Sequence, residues 1–169
     1  MNVSCQCGSV SFKTKERVPL DLYHCHCSEC QKQSSSAFGT SAIFLLLPPF
    51  DAVPVQKADG LPGPPFSDLP IGVWSRSTTT GYIMDCWFCK VCGSRLAHSK
   101  RYRERAEDDG WTYCSTLSIK GGCVHGLDWT QGKHIYCESM VAHLNIPDGI
   151  PAFLQDDDGE AYVQQPKKT

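Results

Sequence analysis

Residues 25–30 read Cys-His-Cys-Ser-Glu-Cys, so three cysteines lie within six residues. A single turn can deliver all three thiols to one metal ion and leave the fourth position of a zinc tetrahedron unfilled. Sites closed by four protein ligands are structural, whereas sites with an open position bind water or substrate. This stretch therefore predicts a metal site that is able to do chemistry.

Two cysteine pairs lie far from this stretch on either side, Cys5-Gln6-Cys7-Gly8 and Cys89-Lys90-Val91-Cys92-Gly93. Side chains two apart share one face of an extended chain, and a Cys-x-x-Cys turn followed by glycine also brings two sulfurs together. The seven thiolates of the three clusters divide into one site with four ligands and one with three. We therefore predict two zinc ions per chain, of unequal character.

Other residues leave alternatives to this division open. Cys86, His24 or His26 could supply an eighth ligand, which would make both sites closed and structural. A strand over Tyr82 to Phe88 favours a different place for Cys86, because its thiol would then lie among apolar neighbours. Three remaining cysteines are expected to be packing thiols, although Cys123 with His125 could approach a site: Cys114, Cys123 and Cys137.

Composition limits the class of protein. The chain has 169 residues, 41% of them hydrophobic, which suits one domain with a buried core. A net charge of −2 provides no basic field for nucleic acid or an anionic membrane. The longest apolar run, at residues 42–47, is far shorter than the roughly 18 residues of a membrane span. No secretory signal is visible, so we expect a reducing, cytoplasmic setting in which clustered cysteines bind metal.

The pattern of apolar residues predicts a mainly β fold. Strands are expected at Asp21 to Cys25 and at Phe38 to Leu47, and one or two helical turns at Ser28 to Ser36. Seven of the 11 prolines fall in residues 48–70, which we interpret as a surface loop that cannot sit inside a sheet. We expect this loop to cover the second zinc site. A charge run at His98 to Gly110 is typical of a solvated hairpin or short exposed helix.

Three motifs resemble the glutathione-dependent formaldehyde-activating enzyme family, which includes the centromere protein V domain. They are SCQCG at 4–8, CHCSECQKQSSSAF at 25–38 and FCKVCGSRL at 88–96. The resemblance implies a zinc-clamped β-tent of antiparallel sheets, here as one domain over residues 1–155 with a polar tail at 156–169. It also implies four structural zinc ligands and three ligands of the functional zinc: Cys5, Cys7, Cys89 and Cys92, then Cys25, Cys27 and Cys30. Ser35 departs from the family, which commonly has glycine there.

The resemblance implies a carbon–sulfur lyase that joins a thiol such as glutathione to formaldehyde or splits the adduct. A thiol bound to zinc loses its proton near neutral pH and becomes a nucleophile. His26, between two ligands, is a candidate acid or base. Two other interpretations remain: a zinc enzyme acting on a bulkier carbonyl compound without glutathione, and a non-catalytic, zinc-stabilised interaction module. Small-molecule thiol and carbonyl substrates are the expected partners.

Overall fold

The computed structural model describes residues 1–45, 54–56, 62–65, 68–103, 112–141 and 144–164. Within them the protein is mainly β, as the sequence predicts, with short strands and one seven-residue helix. The elements in chain order are β1 (Asn2–Ser4), β2 (Ser11–Lys13), β3 (Asp21–Cys25), α1 (Ser28–Ser34), β4 (Gly39–Leu45), β5 (Pro54–Gln56), β6 (Pro62–Pro65), β7 (Ile71–Ser77), β8 (Ile83–Cys89), β9 (Arg95–Tyr102), β10 (Thr112–Tyr113), β11 (Thr116–Lys120) and β12 (Lys133–Ile135).

One compact unit comprises residues 1–20 and 42–127. Its strands pair antiparallel in the order β7-β8-β9-β11, β10 also pairs with β9, and β1 and β2 form a separate two-stranded ladder. β8 is buried along most of its length, which explains its nearly continuous apolar sequence. The interior of this unit is made of side chains that are almost completely excluded from solvent, among them Val3, Val10, Phe44, Leu96 and Ile119.

A buried carboxylate links four strands of this unit. Asp85 on β8 is only 4% exposed, and it accepts hydrogen bonds from Ser75 Oγ at 2.5 Å, Tyr113 Oη at 2.7 Å and Arg101 Nε at 2.8 Å. These donors outweigh the effect of burial and keep the pKa of Asp85 below its usual value. The charge is therefore matched within the sheet, as buried charges require.

The other unit comprises residues 21–41 and 128–169. In it β12 pairs with β3 in parallel, so His134 lies opposite His24 and Ile135 lies opposite Cys25. α1 follows directly after β3 and is capped by Cys27, whose thiol accepts a bond from the Cys30 backbone N–H at 3.4 Å. The helix thus begins inside the three-cysteine motif.

The last described residues of this unit fold back as a hairpin. Tyr162 donates its backbone N–H to the Ala152 carbonyl at 2.8 Å, and Phe153 pairs with Ala161. Phe153 in turn donates to the His134 carbonyl at 2.9 Å, which places the hairpin beside β12. We refer to residues 151–162 as the C-terminal hairpin.

One local expectation proves wrong and another is only partly right. The proline-rich segment does pair, since β5 and β6 form an antiparallel ladder in which Pro54 lies opposite Pro65. Both strands of a two-stranded ladder are edges, where a residue without an N–H is tolerated. At the charge run β9 and β10 pair antiparallel, with Thr112 opposite Tyr102, as the expected hairpin requires. The first residues of the run are less solvated than expected, because Ser99 in β9 is buried. Residues 46–53, 57–61, 66–67 and 104–111 lie outside the described residues, so the covering role of the loop stays a prediction.

Candidate metal centres

Four cysteines converge in the first unit. The sulfurs of Cys5, Cys7, Cys89 and Cys92 all lie within 4.8 Å of one another. Cys7 Sγ is 3.5 Å from Cys5 Sγ and 3.9 Å from Cys89 Sγ, although 82 residues separate it from Cys89. In a zinc tetrahedron with bonds of about 2.3 Å, neighbouring sulfurs lie about 3.8 Å apart. The spacing therefore fits a four-thiolate metal site.

Local backbone geometry explains how each pair of this first group forms. Gly8 and Gly93 both adopt positive φ, 77° and 74°, directly after a ligand cysteine. Each closes a tight turn, with Gly8 N–H donating to Cys5 O at 3.1 Å and Gly93 N–H donating to Cys89 O at 2.9 Å. Only glycine adopts this conformation at little cost. The glycine that follows each pair is therefore part of the ligand geometry.

Backbone amides and hydroxyls surround the same sulfurs. Val10 N–H donates to Cys5 Sγ at 3.3 Å, and Val91 N–H donates to Cys89 Sγ at 3.4 Å. The Ser94 hydroxyl, 3.2 Å from Cys92 Sγ, lowers the pKa of that thiol to about 5. Donors placed in this way stabilise thiolates, which are the form that binds metal.

The second group is formed by Cys25, Cys27 and Cys30, whose sulfurs also lie within 4.8 Å of one another. A hydrogen bond from the Cys25 thiol lowers the pKa of Cys27, and the same bond raises the pKa of Cys25, because the proton that Cys25 keeps stabilises the Cys27 thiolate. Burial and repulsion from the neighbouring thiolates add to the rise at Cys25, so the three thiols resist losing all their protons together. A cation between them removes this conflict, so the donor set fits a metal. Soft thiolates favour zinc over magnesium or calcium.

Packing fixes the three ligands from several sides. A Cβ added to Gly39 would lie 3.2 Å from Cys30 Cβ, so β4 approaches the helix closely there. Gln31 donates from Nε2 to the carbonyls of His26 at 2.6 Å and Ser139 at 2.9 Å. Partly buried Tyr23, Tyr136 and Phe153 pack against the cluster formed by Cys25, Cys30 and Ile135. The second group therefore lies among apolar and aromatic side chains.

His26 lies apart from the thiols, despite its place between Cys25 and Cys27 in the sequence. Side chains alternate along a strand, so His24 and His26 share the face opposite to Cys25. His26 Nε2 is 2.9 Å from His134 Nδ1, and His24 contacts Thr40 Oγ1 at 2.9 Å. His24 and His26 belong to neither cysteine group among the described residues. An acid–base role for His26 stays a prediction.

Burial lowers the pKa of all three imidazoles in this cluster, that of His134 to about 4. The rings are therefore neutral at pH 7. His134 is the partner that the sequence did not indicate, because it is 108 residues from His26 and its pairing depends on the parallel ladder of β12 with β3. The cluster supports the strand that presents Cys25.

The remaining thiols that sequence analysis singled out are not members of either group in the described chain. Cys86 is completely buried in β8, and its Sγ is 3.9 Å from the Met84 carbonyl. Burial raises the pKa of Cys123, and the nearby thiols of Cys5 and Cys92 raise it further. The Cys123 thiol donates to the Arg95 carbonyl at 3.3 Å. His125 instead bonds Ser4 Oγ at 2.7 Å. All eleven cysteines are free of disulfides.

Comparison with known protein families bears on the same residues. Residues 1–46 match the family model of the glutathione-dependent formaldehyde-activating enzyme. The match confirms the resemblance over that part of the chain and contains Cys5, Cys7 and the whole second group. Cys89 and Cys92 lie beyond it in the sequence, and the fold brings them to Cys5 and Cys7. A comparison with curated proteins gave no match. No helix in the described part of the chain is long and apolar enough to cross a membrane.

Proposed function

We propose that this protein is a zinc-dependent enzyme of the carbon–sulfur lyase type, which joins a thiol such as glutathione to an aldehyde such as formaldehyde and splits the adduct. The observation that carries the proposal is the metal-binding geometry of three thiols, with no fourth among the described residues: Cys25, Cys27 and Cys30. This group lies within the stretch that matches a formaldehyde-activating family. Three protein ligands leave one position of a tetrahedron for a substrate.

Zinc held by Cys25, Cys27 and Cys30 would supply a Lewis acid that lowers the pKa of an incoming thiol. The surrounding residues determine the rest of the chemistry. The three thiolate ligands are anionic, which favours a soft sulfur substrate over hard water. Tyr136 and Phe153 pack against the cluster of Cys25, Cys30 and Ile135, and apolar surface in place of water strengthens electrostatic interactions there. The site is therefore suited to holding a thiolate beside a carbonyl group.

The reaction balances without an oxidant or reductant. The substrate thiol releases its proton to solvent, and its sulfur forms a bond to the carbonyl carbon. The carbonyl π electrons move to oxygen, which takes a proton from solvent to give the hydroxymethyl thioether. In the reverse direction the carbon–sulfur bond breaks and the same atoms return. The enzyme accelerates both directions and does not change the equilibrium.

The first group would have a structural role in this proposal. Four thiolates from Cys5, Cys7, Cys89 and Cys92 saturate a tetrahedral zinc, so no position is left for substrate. Metal binding by such a site is coupled to folding. We therefore propose two zinc ions per chain, one structural and one functional. Eleven free cysteines and metal-binding thiols suit a reducing compartment such as the cytoplasm.

Exchange spectroscopy tests the proposed function. Purified zinc-loaded protein is mixed with glutathione and ¹³C-formaldehyde, and NMR measures the rate at which label exchanges between free formaldehyde and the adduct. We expect Cys27→Ser to abolish the acceleration while the protein stays folded, since serine preserves the helix cap. Cys86→Ser, which removes a buried thiol outside both groups, should retain it.

Two results would overturn the proposal. Wild-type protein that does not accelerate exchange with glutathione or other small thiols, over formaldehyde and bulkier aldehydes, would favour the interaction module. Acceleration that survives Cys27→Ser would place the chemistry elsewhere in the chain.

A further inference from the structure

Tyr136 adopts a backbone conformation that is unusual for a bulky residue. Its φ of 57° and ψ of 40° lie in the left-handed region. Ser35 is the other non-glycine residue of the described chain with positive φ. An aromatic residue in this region is strained, and such strain persists only where the surrounding structure enforces it. The conformation of Tyr136 therefore needs a cause.

The C-terminal hairpin provides that cause. Tyr136 donates its backbone N–H to the Gln155 carbonyl at 2.7 Å, and Cys137 donates to the Phe153 carbonyl at 3.0 Å. Ser139 N–H then donates to the Tyr136 carbonyl at 3.1 Å and closes a 3₁₀ turn. Hydrogen bonds thus fix the backbone on both sides of Tyr136.

The turn changes the direction in which Tyr136 points. His134 shares a face with His24, and Ile135 shares the opposite face with Cys25. Regular alternation would return Tyr136 to the histidine face. The left-handed residue ends β12 instead, and the ring packs against the cluster of Cys25, Cys30 and Ile135. The strained backbone therefore brings a phenol to the cysteine side of the strand pair.

Among the aromatic residues around this cluster, Tyr136 alone has a hydroxyl that is not already engaged within the described chain. The Tyr23 hydroxyl lies 2.8 Å from Asp157 Oδ2 and 3.1 Å from Asp21 Oδ2, so its proton is committed. Phe153 has no donor. A hydrogen-bond donor beside the three thiols is thus available at Tyr136.

We propose that Tyr136 is a catalytic residue whose phenol donates a hydrogen bond to the carbonyl oxygen of the aldehyde bound at the second cysteine group. This inference rests on the proposed thiol–aldehyde reaction. Negative charge develops on that oxygen as the carbon–sulfur bond forms, and a fixed donor stabilises it more in the transition state than in the free aldehyde. The hairpin holds the donor in place before the substrate arrives, so it is not reorganised during the reaction.

Removing the hydroxyl tests the proposal. Tyr136→Phe should lower the exchange rate by about ten- to a thousand-fold, the range for a hydrogen bond to a developing charge. Zinc content and melting temperature should not change. The affinity for glutathione, measured from the absorption spectrum of cobalt-substituted protein, should not change either. Tyr162→Phe removes a hydroxyl from the C-terminal hairpin and should leave the exchange rate at the wild-type value.

The enforced backbone has a readout that does not depend on activity. Glycine is tolerated at positive φ and alanine is not. Tyr136→Gly should therefore melt at a higher temperature than Tyr136→Ala, which reverses their usual order. A lower melting temperature for Tyr136→Gly would show that the backbone is not enforced and would overturn the structural basis of the proposal.

The outcomes separate this inference from the proposed function. If Tyr136→Phe exchanges label at the wild-type rate, the inference is overturned and the proposed function stands. Equal losses in exchange rate and thiol affinity would make Tyr136 a structural or thiol-binding residue, which also overturns it. Absence of exchange in the wild-type protein defeats the proposed function, and the inference fails with it.

Discussion

Removing one cysteine pair from each group should have very different effects on stability. The first perturbation is Cys89→Ser with Cys92→Ser, which detaches β8 from the N-terminal thiols. The second is Cys27→Ser with Cys30→Ser, which removes two of the three ligands of the other group. Each variant loses two thiolates, so the number of lost metal bonds is matched. The difference between their losses in free energy of unfolding therefore reflects the length of the loop that each metal closes.

The size of the difference follows from chain entropy. A metal joining Cys7 to Cys89 links residues 82 positions apart. Treated as a cross-link, a loop of that length stabilises the fold by about 4.5 kcal/mol at 25 °C. The second group closes only the short stretch from Cys25 to Cys30, for which the same relation gives about 2 kcal/mol. Since domains of this size are stable by about 5–15 kcal/mol, only the first variant should approach unfolding.

Urea unfolding followed by tryptophan fluorescence and circular dichroism measures both losses, with zinc content determined on the same samples. The Cys27/Cys30 variant should remain folded with one zinc, and the Cys89/Cys92 variant should be largely unfolded or lose about twice as much free energy. Cys86→Ser controls for the loss of a buried thiol. Equal losses from the two double variants would refute the assignment of unequal roles.

Two further predictions concern residues outside the metal ligands. Asp85→Asn should lower the free energy of unfolding by about 2–3 kcal/mol at pH 7, because the partly buried Arg101 loses its ion pair with the Asp85 carboxylate. The folded pKa of Asp85 is depressed, so its contribution is present above about pH 4 and is lost as pH falls further; urea titrations at pH 7 and pH 3 should therefore show the gap closing in acid. Ser35→Gly should raise the melting temperature by about 1–4 °C in calorimetry, because Ser35 ends α1 with φ of 49°.

Sequence patterns were informative where a few neighbouring residues determine the geometry. The spacing Cys-x-x-Cys-Gly at residues 89–93 places two sulfurs together whatever the rest of the fold does, and the positive φ of Gly93 shows why the glycine follows. Helical turns after Cys25 were also predictable, because the polar stretch has no β-branched residue and Cys27 serves as its cap. Ser35 has a φ of 49°, a conformation that glycine adopts at lower cost.

Long-range pairing explains what sequence analysis missed. His134 meets His26 only because β12 runs parallel to β3, and three-residue strands have little periodicity to reveal this. The end of β9 was hidden because Lys100 and Arg101 look like a solvated charge run, although Ser99 directly before them is buried and Arg101 is only partly exposed. No residue type near Tyr136 predicts its left-handed conformation, because the hairpin that enforces it comes later in the chain.

The central claim is that the Cys25–Cys27–Cys30 group holds zinc with a position open to a thiol. Zinc-edge X-ray absorption on protein with two bound zinc ions tests it directly. Without substrate the average should be about 3.5 sulfur ligands per zinc, and added glutathione should raise it to about 4 with bonds near 2.3 Å. An average of 4 sulfurs before glutathione is added, or an average that glutathione does not change, would contradict the claim.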